Sequence, residues 1–183
     1  PMVLKPLQKP HPPLWYGLGH AAGAEWAATN RVNVITNLGA EGSAPLFARY
    51  REVWQRKHGE QPTPRLGMGR HVVVAPTEDA AMALGRTHYA VWYANLTRLW
   101  RDFGAVPVRF ATDFDEARRR GVAIAGTPAQ VGAEIERQVA VSGCTYMTCR
   151  LMFGEMSEAE AAANVDLFVA EVMPSVTRLA VPA

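Results

Sequence analysis

The sequence predicts an α/β fold made of successive strand–helix units on a parallel sheet. Three observations carry this. Short apolar or β-branched runs recur at Leu14-Trp15-Tyr16, Val32–Thr36, Val72–Ala75 and Cys144–Phe153. Segments with helical spacing or helix-start chemistry lie between and after them. Strands are separated by helices throughout, which requires parallel strands joined by right-handed crossovers.

Leu14-Trp15-Tyr16 ends at Gly17 and reads as a short buried strand. The Ala-rich stretch Ala21–Thr29 has strong helix propensity. Val32–Thr36 is the second strand, and Gly39–Ser43 reads as loop. A helix from about Ser43 to His58 carries Leu46, Tyr50, Val53 and Trp54 on one stripe, and Gly59 stops it. Val72–Ala75 is a continuous apolar strand of the kind buried on both faces. Thr77 caps the next helix, and Glu78 and Asp79 suit the positive end of its dipole. Its pattern continues through Tyr89, Trp92, Leu96 and Leu99, with a break expected at Gly85. Gly104–Phe110 reads as loop, and Asp113–Arg120 as a short capped helix. Thr127, Pro128 and Gln130 give an N-cap, a first-turn proline and a capping box. Val131, Ile135 and Val139 form that helix's stripe, and Gly143 ends it. After the strand Cys144–Phe153, Ser157 and Glu160 form another capping box. The closing helix is expected to bury Ala161, Val165, Phe168, Val169 and Val172 and to end at Pro174. Four strands result, enough for a small open sheet or for half of a (β/α)8 barrel, since whole barrels take about 250 residues.

At 183 residues the chain can hold one domain with a real core. Apolar residues make up 49% and charged residues 20%, the balance of a folded protein rather than a disordered one. No apolar run is long enough to span a bilayer, and the Pro-rich start lacks a signal-peptide pattern. Cys144 and Cys149 stand five residues apart in one strand and point to opposite faces, so they are read as unpaired reduced thiols. A cytoplasmic protein is expected. The net charge is +2, and Arg118-Arg119-Arg120 is the only basic run and reads as a solvated helix end, which argues against a nucleic-acid partner. The chain starts at Pro1, and Pro6, Pro10 and Pro12 follow. That stretch reads as an extended connection with protein expected before it. No His, Cys and carboxylate set has metal-ligand spacing, and no serine nucleophile elbow occurs.

The clearest chemical feature is Gly17-Leu18-Gly19-His20-Ala21-Ala22-Gly23, directly after a strand and at the head of a helix. Glycines there let the backbone turn tightly, and the first-turn amides with the positive dipole end favour a phosphate. The plain alternative is a tight turn that needs glycine. Two ligands fit a phosphate site: a dinucleotide on a doubly wound sheet, with Glu41 near the ribose-contact distance, or a flavin phosphate in a barrel.

Lys9–Gly17 followed by Glu25-Trp26-Ala27-Ala28 resembles the middle of bacterial-luciferase-like flavin-dependent monooxygenases. Gly69–Thr77 is similar to that family's Arg-His-Val strand running into a Thr-capped helix. Gly126–Val131 resembles its Gly-Thr-Pro helix start, and Arg150–Gly154 with Leu167–Pro174 its last strand and closing helix. The resemblance covers nearly the whole chain. It implies that residues 1–183 form the C-terminal part of one (β/α)8 barrel, a single incomplete domain. It further implies reduced flavin mononucleotide (FMN), or a deazaflavin coenzyme, a small organic substrate, and a homodimer. By resemblance the turn Gly17, Leu18, Gly19, His20 and Gly23 would hold the flavin phosphate, and Asn37 would lie near the ring. The family's usual glycine is replaced by Arg31, which leaves the helix end to Asn30. The usual catalytic polar residues belong to the other half of the barrel, so catalytic residues go unassigned here.

Arg150 lies near a strand end, where barrel active sites sit, and is read as meeting flavin or substrate or else as a paired rim arginine. His20 is a phosphate aid or a turn residue. His71 precedes its strand in this reading and so falls at the opposite, stability face. Trp26, Trp54, Trp92 and Trp100 are read as core. Two rivals to a flavin-dependent oxidoreductase stay open: a non-catalytic flavin-binding or assembly module, and a nicotinamide-dependent dehydrogenase.

Overall fold

The computed structural model describes residues 4–105 and 110–177. Residues 106–109 of the expected loop Gly104–Phe110, and Pro1 of the proline-rich start, lie outside the described residues. Among the described residues five parallel strands form one sheet. They are β1 (Trp15–Gly17), β2 (Asn33–Thr36), β3 (Leu66–Val74), β4 (Ala123–Gly126) and β5 (Tyr146–Arg150). The helices are α1 (Ala21–Thr29), α2 (Ala40–His58), α3 (Glu78–Asp102), α4 (Phe114–Arg119), α5 (Pro128–Ser142) and α6 (Glu158–Leu167). A π-helical turn, Phe168–Val172, leads from α6 into α7 (Met173–Val176).

β3 organises the sheet. Gly67 is register partner to both Ile35 and Tyr146, and His71 to both Ala123 and Arg150. A strand has two edges, so β5 takes one and β2 and β4 share the other. The run β1-β2-β3-β5 is therefore continuous, and β4 is a fifth short strand beside the C-terminal half of β3. The four-strand expectation is corrected by β4. Its sequence, Ala-Ile-Ala-Gly, is poor in β-formers, and only burial on both faces makes it a strand. β3 also begins at Leu66, six residues before the apolar run that announced it. Gly67, Gly69, Arg70 and His71 hide its first half from a hydrophobicity pattern.

Leu66, Met68, Val72 and Val74 face helices α1, α2 and α5 in two connected cores. Fully buried Arg70 lies on this side. Its guanidinium donates to Gln138 Oε1 at 2.6 Å and to the Gly69 carbonyl at 2.8 Å, and burial pushes its pKa down to about 10. On the opposite face Val73 packs under α3 and α4, with Tyr89 and Phe114 at its centre.

Several local expectations meet the structure closely. The side chains of Thr77, Asp113, Thr127 and Ser157 cap their helices, the last two in full capping boxes. Other expectations are corrected. α2 starts at Ala40, because Gly39 is its N-cap and the Ser43 hydroxyl donates to the Gly39 carbonyl. α3 runs unbroken through Gly85, whose missing Cβ lets the Phe114 ring lie against the helix. α6 buries Asn164, while Val165 and Val169 are exposed. The helix also passes Pro174, whose missing N–H follows the widened π turn. Leu14 and Trp15 are exposed, as are Trp26 and Trp100, so those aromatics are not core.

Candidate functional site

A cavity of about 290 Å³ lies between α3 and the carboxyl ends of β1 and β2. β1 delivers its floor. Leu18 N–H donates to the Ile35 carbonyl at 2.8 Å, which extends the ladder one residue past the strand and buries Leu18. Gly17 and Gly19 then flank it as bare backbone facing the cavity, and a Cβ built on either meets nothing within 4 Å. The glycines thus open space rather than relieve crowding.

His20 starts α1. Its backbone is extended and its ring Nδ1 accepts from Gly23 N–H at 3.0 Å. Gly23 is buried, and a Cβ there would press on the Tyr16 ring at 3.0 Å. Its need for glycine is a packing need. His20 and Gly23 do not line the cavity, whereas Gly17, Leu18, Gly19, Asn37 and Arg150 do. Glu41 is drawn into the first turn of α2, where Arg137 binds it at 2.8 Å and holds its pKa below the usual range.

β2 ends at Thr36, and Asn37 follows at the rim. Arg150 Nη2 donates to Asn37 Oδ1 at 3.3 Å, across β3. Gly69 permits this crossing, since a Cβ there would stand 2.6 Å from Asn37 Oδ1 and 3.4 Å from Arg150 Nη2. Among the described residues Arg150 has no carboxylate partner. It is half-buried, and burial lowers its pKa.

His71 corrects its expected placement. It sits inside β3, not before it, and lines the cavity. Its ring lies edge-on to Tyr89, Trp92 and Phe153, with centroids 5.3, 4.3 and 4.8 Å away. Burial, and then the Arg150 charge, push its pKa down to about 3, so the imidazole is neutral. Its Nε2 is buried without a hydrogen-bond partner among the described residues. Tyr89 is fixed by its hydroxyl, which donates to the Ala111 carbonyl at 3.0 Å.

The sequence profile of luciferase-like monooxygenases matches residues 2–145. The chain belongs to that family. It is 30% identical over 163 residues to the uncharacterised protein y4wF of Sinorhizobium fredii, covering 85% of this chain and 46% of that protein. Among solved structures, the monooxygenase RslO1 of Streptomyces bottropensis superposes with a TM-score of 0.73 at 24% identity, over 94% of this chain and 51% of that one. The oxygenating constituent of 3,6-diketocamphane monooxygenase from Pseudomonas putida, a type II Baeyer–Villiger enzyme in complex with FMN, gives a TM-score of 0.66 at 17% identity, over 88% of this chain and 47% of that one. The chain thus spans about half the length of the relatives it matches. These likenesses show its fold to be part of a (β/α)8 barrel.

In this luciferase-like chain the cavity lies on the carboxyl side of the strands, the side on which barrels carry their sites. Of the residues the sequence singles out for a flavin, Gly17, Leu18, Gly19, Asn37 and Arg150 line the cavity, as do His71, Tyr89, Trp92 and Gly69, which the sequence reading leaves out of the site. One signal for them exists. Gly67, Gly69, His71 and Val73 alternate with Leu66, Met68, Arg70, Val72 and Val74, a period of two that extends the strand backwards. Among the described residues no helix is long and apolar enough to cross a membrane.

Proposed function

We propose that these residues form the flavin-binding part of an oxidoreductase that oxidises a small organic molecule with reduced flavin and oxygen. The carrying observation is the open backbone ledge at Gly17–Gly19, at the strand ends and beside the head of α1. That ledge fits a phosphate. It offers glycine backbone with no Cβ in the way, next to the positive end of a helix dipole, with the Leu18 N–H given to Ile35 and the Gly23 N–H to His20. Asn37 would stand at the flavin ring, and Tyr89 and Trp92 would wall off the substrate from water. The flavin, when bound, supplies the redox chemistry. The chain's own residues bind, orient and exclude water. A second reading, a module completed by another polypeptide, is favoured by the exposed Trp15 and Tyr146 on the sheet face around Gly67.

The phosphate is the testable element. FMN and riboflavin share the ring, so their affinities isolate it. We expect FMN to bind at least roughly tenfold more tightly, as a charge-assisted contact would give. Gly19→Ala has room for its methyl group and should fold normally, yet it places that methyl on the ledge and should erase most of the preference. Flavin fluorescence titrations read both quantities. Equal binding of FMN and riboflavin by the unaltered chain would dismiss the phosphate site, and tighter binding of a deazaflavin coenzyme than of FMN would reassign the cofactor.

A further inference from the structure

We propose that Arg150 and His71 together take the negatively charged oxygen of the organic substrate, a carboxylate or an equivalent oxyanion, while Tyr89 and Trp92 take its apolar body. This deepens the oxidoreductase reading and rests on it for the role of the cavity. Arg150 and His71 are register partners across β3 and β5, so their side chains leave the sheet on the same face. Arg150 carries a permanent charge. It is half-buried and, among the described residues, its side chain hydrogen-bonds only to the neutral Asn37 oxygen, at 3.3 Å. A cation taken partly out of water without a counter-charge is unfavourable, and a bound anion removes that cost.

His71 supplies the second, independent observation. It is 3% exposed, lines the cavity, and its Nε2 has no hydrogen-bond partner among the described residues. A neutral imidazole has one N–H and one lone pair. A buried nitrogen left without a partner is destabilising, and the ring that carries it lines the cavity, so a ligand there would satisfy it after a small turn of the ring. Aromatic edges on three sides hold the ring in place. Arg120 also lines the cavity but is paired with Glu116, and the rest of the wall is mainly apolar, with Leu18, Ile35, Tyr89 and Trp92. One charged end and one apolar or aromatic body describe the ligand that such a site accepts.

Benzoate and benzamide test this directly, because they share shape and differ in charge. Quenching of tryptophan fluorescence on titration should show benzoate binding roughly tenfold or more tightly than benzamide, the scale of a charge-assisted hydrogen bond. Arg150→Gln should abolish the preference and Arg150→Lys should keep part of it. His71→Phe should weaken benzoate several-fold, as a lost hydrogen bond does. Equal affinities for the two probes in the unaltered chain would overturn the proposal without any variant. Displacement of benzoate by riboflavin would overturn the substrate assignment too, since the anion would then belong to the flavin ring. The FMN-to-riboflavin ratio reads the phosphate turn separately. A preserved ratio with no benzoate preference sinks this proposal alone, and the reverse sinks the flavin reading alone.

Discussion

The imidazole of His71 is held neutral by its surroundings, and this links the cavity to stability. In an unfolded chain the group takes up a proton near pH 6.5, and in the folded chain only near pH 3. The folded pKa is the lower one. Stability tied to the neutral ring is therefore full above pH 6.5 and falls as pH drops from 6.5 towards 3, by at most about 1.4 kcal/mol per pH unit. Carboxylates such as Glu41 and Glu134, held low by Arg137, contribute a loss in the same direction, but only at lower pH. Urea unfolding at pH 7 and pH 5 separates the two. The unaltered chain should lose about 1–2 kcal/mol more across that interval than His71→Phe. Identical losses would mean that the ring accepts its proton in place. Arg31 is the other residue in an unusual state. It adopts φ 61 at the end of α1, where Asn30 supplies the cap by donating from its side chain to the Trp26 carbonyl at 2.8 Å. A non-glycine residue carries a penalty in that conformation.

Between elements the decisive contact is a single amide. β5 pairs with β3 only as far as His71, which leaves the same edge of β3 open at Val72 and Val74. Asn164 of α6 closes it. Its Oδ1 accepts from Val74 N–H at 2.7 Å, and its Nδ2 donates to the Val72 carbonyl at 3.0 Å and the Leu151 carbonyl at 2.8 Å. One side chain thus continues a sheet ladder that has run out of strand. Asn164→Ala should destabilise the fold by about 3 kcal/mol, because buried backbone groups lose their partners. Val165→Ala, one residue on and 37% exposed, should change stability by no more than about 0.5 kcal/mol. Chemical denaturation of the two variants checks the assignment, and comparable losses would contradict it.

Across the whole molecule the sheet is covered unequally. Helices α1, α2 and α5 bury one face along its length, whereas α3 and α4 cover the other only beyond Gly69. Around Gly67 the second face presents Trp15 and Tyr146, with ring centroids 5.0 Å apart, and Arg65 over the Tyr146 ring at 5.2 Å. The two rings leave exposed apolar surface on this part of the face. The chain should therefore bind the dye ANS, and Trp15→Ser combined with Tyr146→Ser should remove most of the fluorescence while leaving the urea midpoint nearly unchanged. Retention of the full signal in the double variant would place the sticky surface elsewhere. The same unequal covering gives the cavity its position, since α3 ends the exposed strip and walls the cleft with Tyr89 and Trp92.

Sequence by itself determined what neighbouring residues decide. Helix starts at Thr77, Asp113, Thr127 and Ser157 were legible because a cap and its amides lie within three residues. The turn at Gly17–Gly19 was legible because a strand end, glycines and a helix start adjoin in the chain. Tertiary structure alone decided β4, the first half of β3, the burial of Asn164 over Val165, and the place of His71 in the cavity. Each depends on which strand edge lies opposite, and that partner is tens of residues away: Ala123 and Arg150 for His71, Val72 and Val74 for Asn164. Burial and unmet hydrogen bonds between distant segments overrule local preference, and a pattern of neighbours carries no record of them.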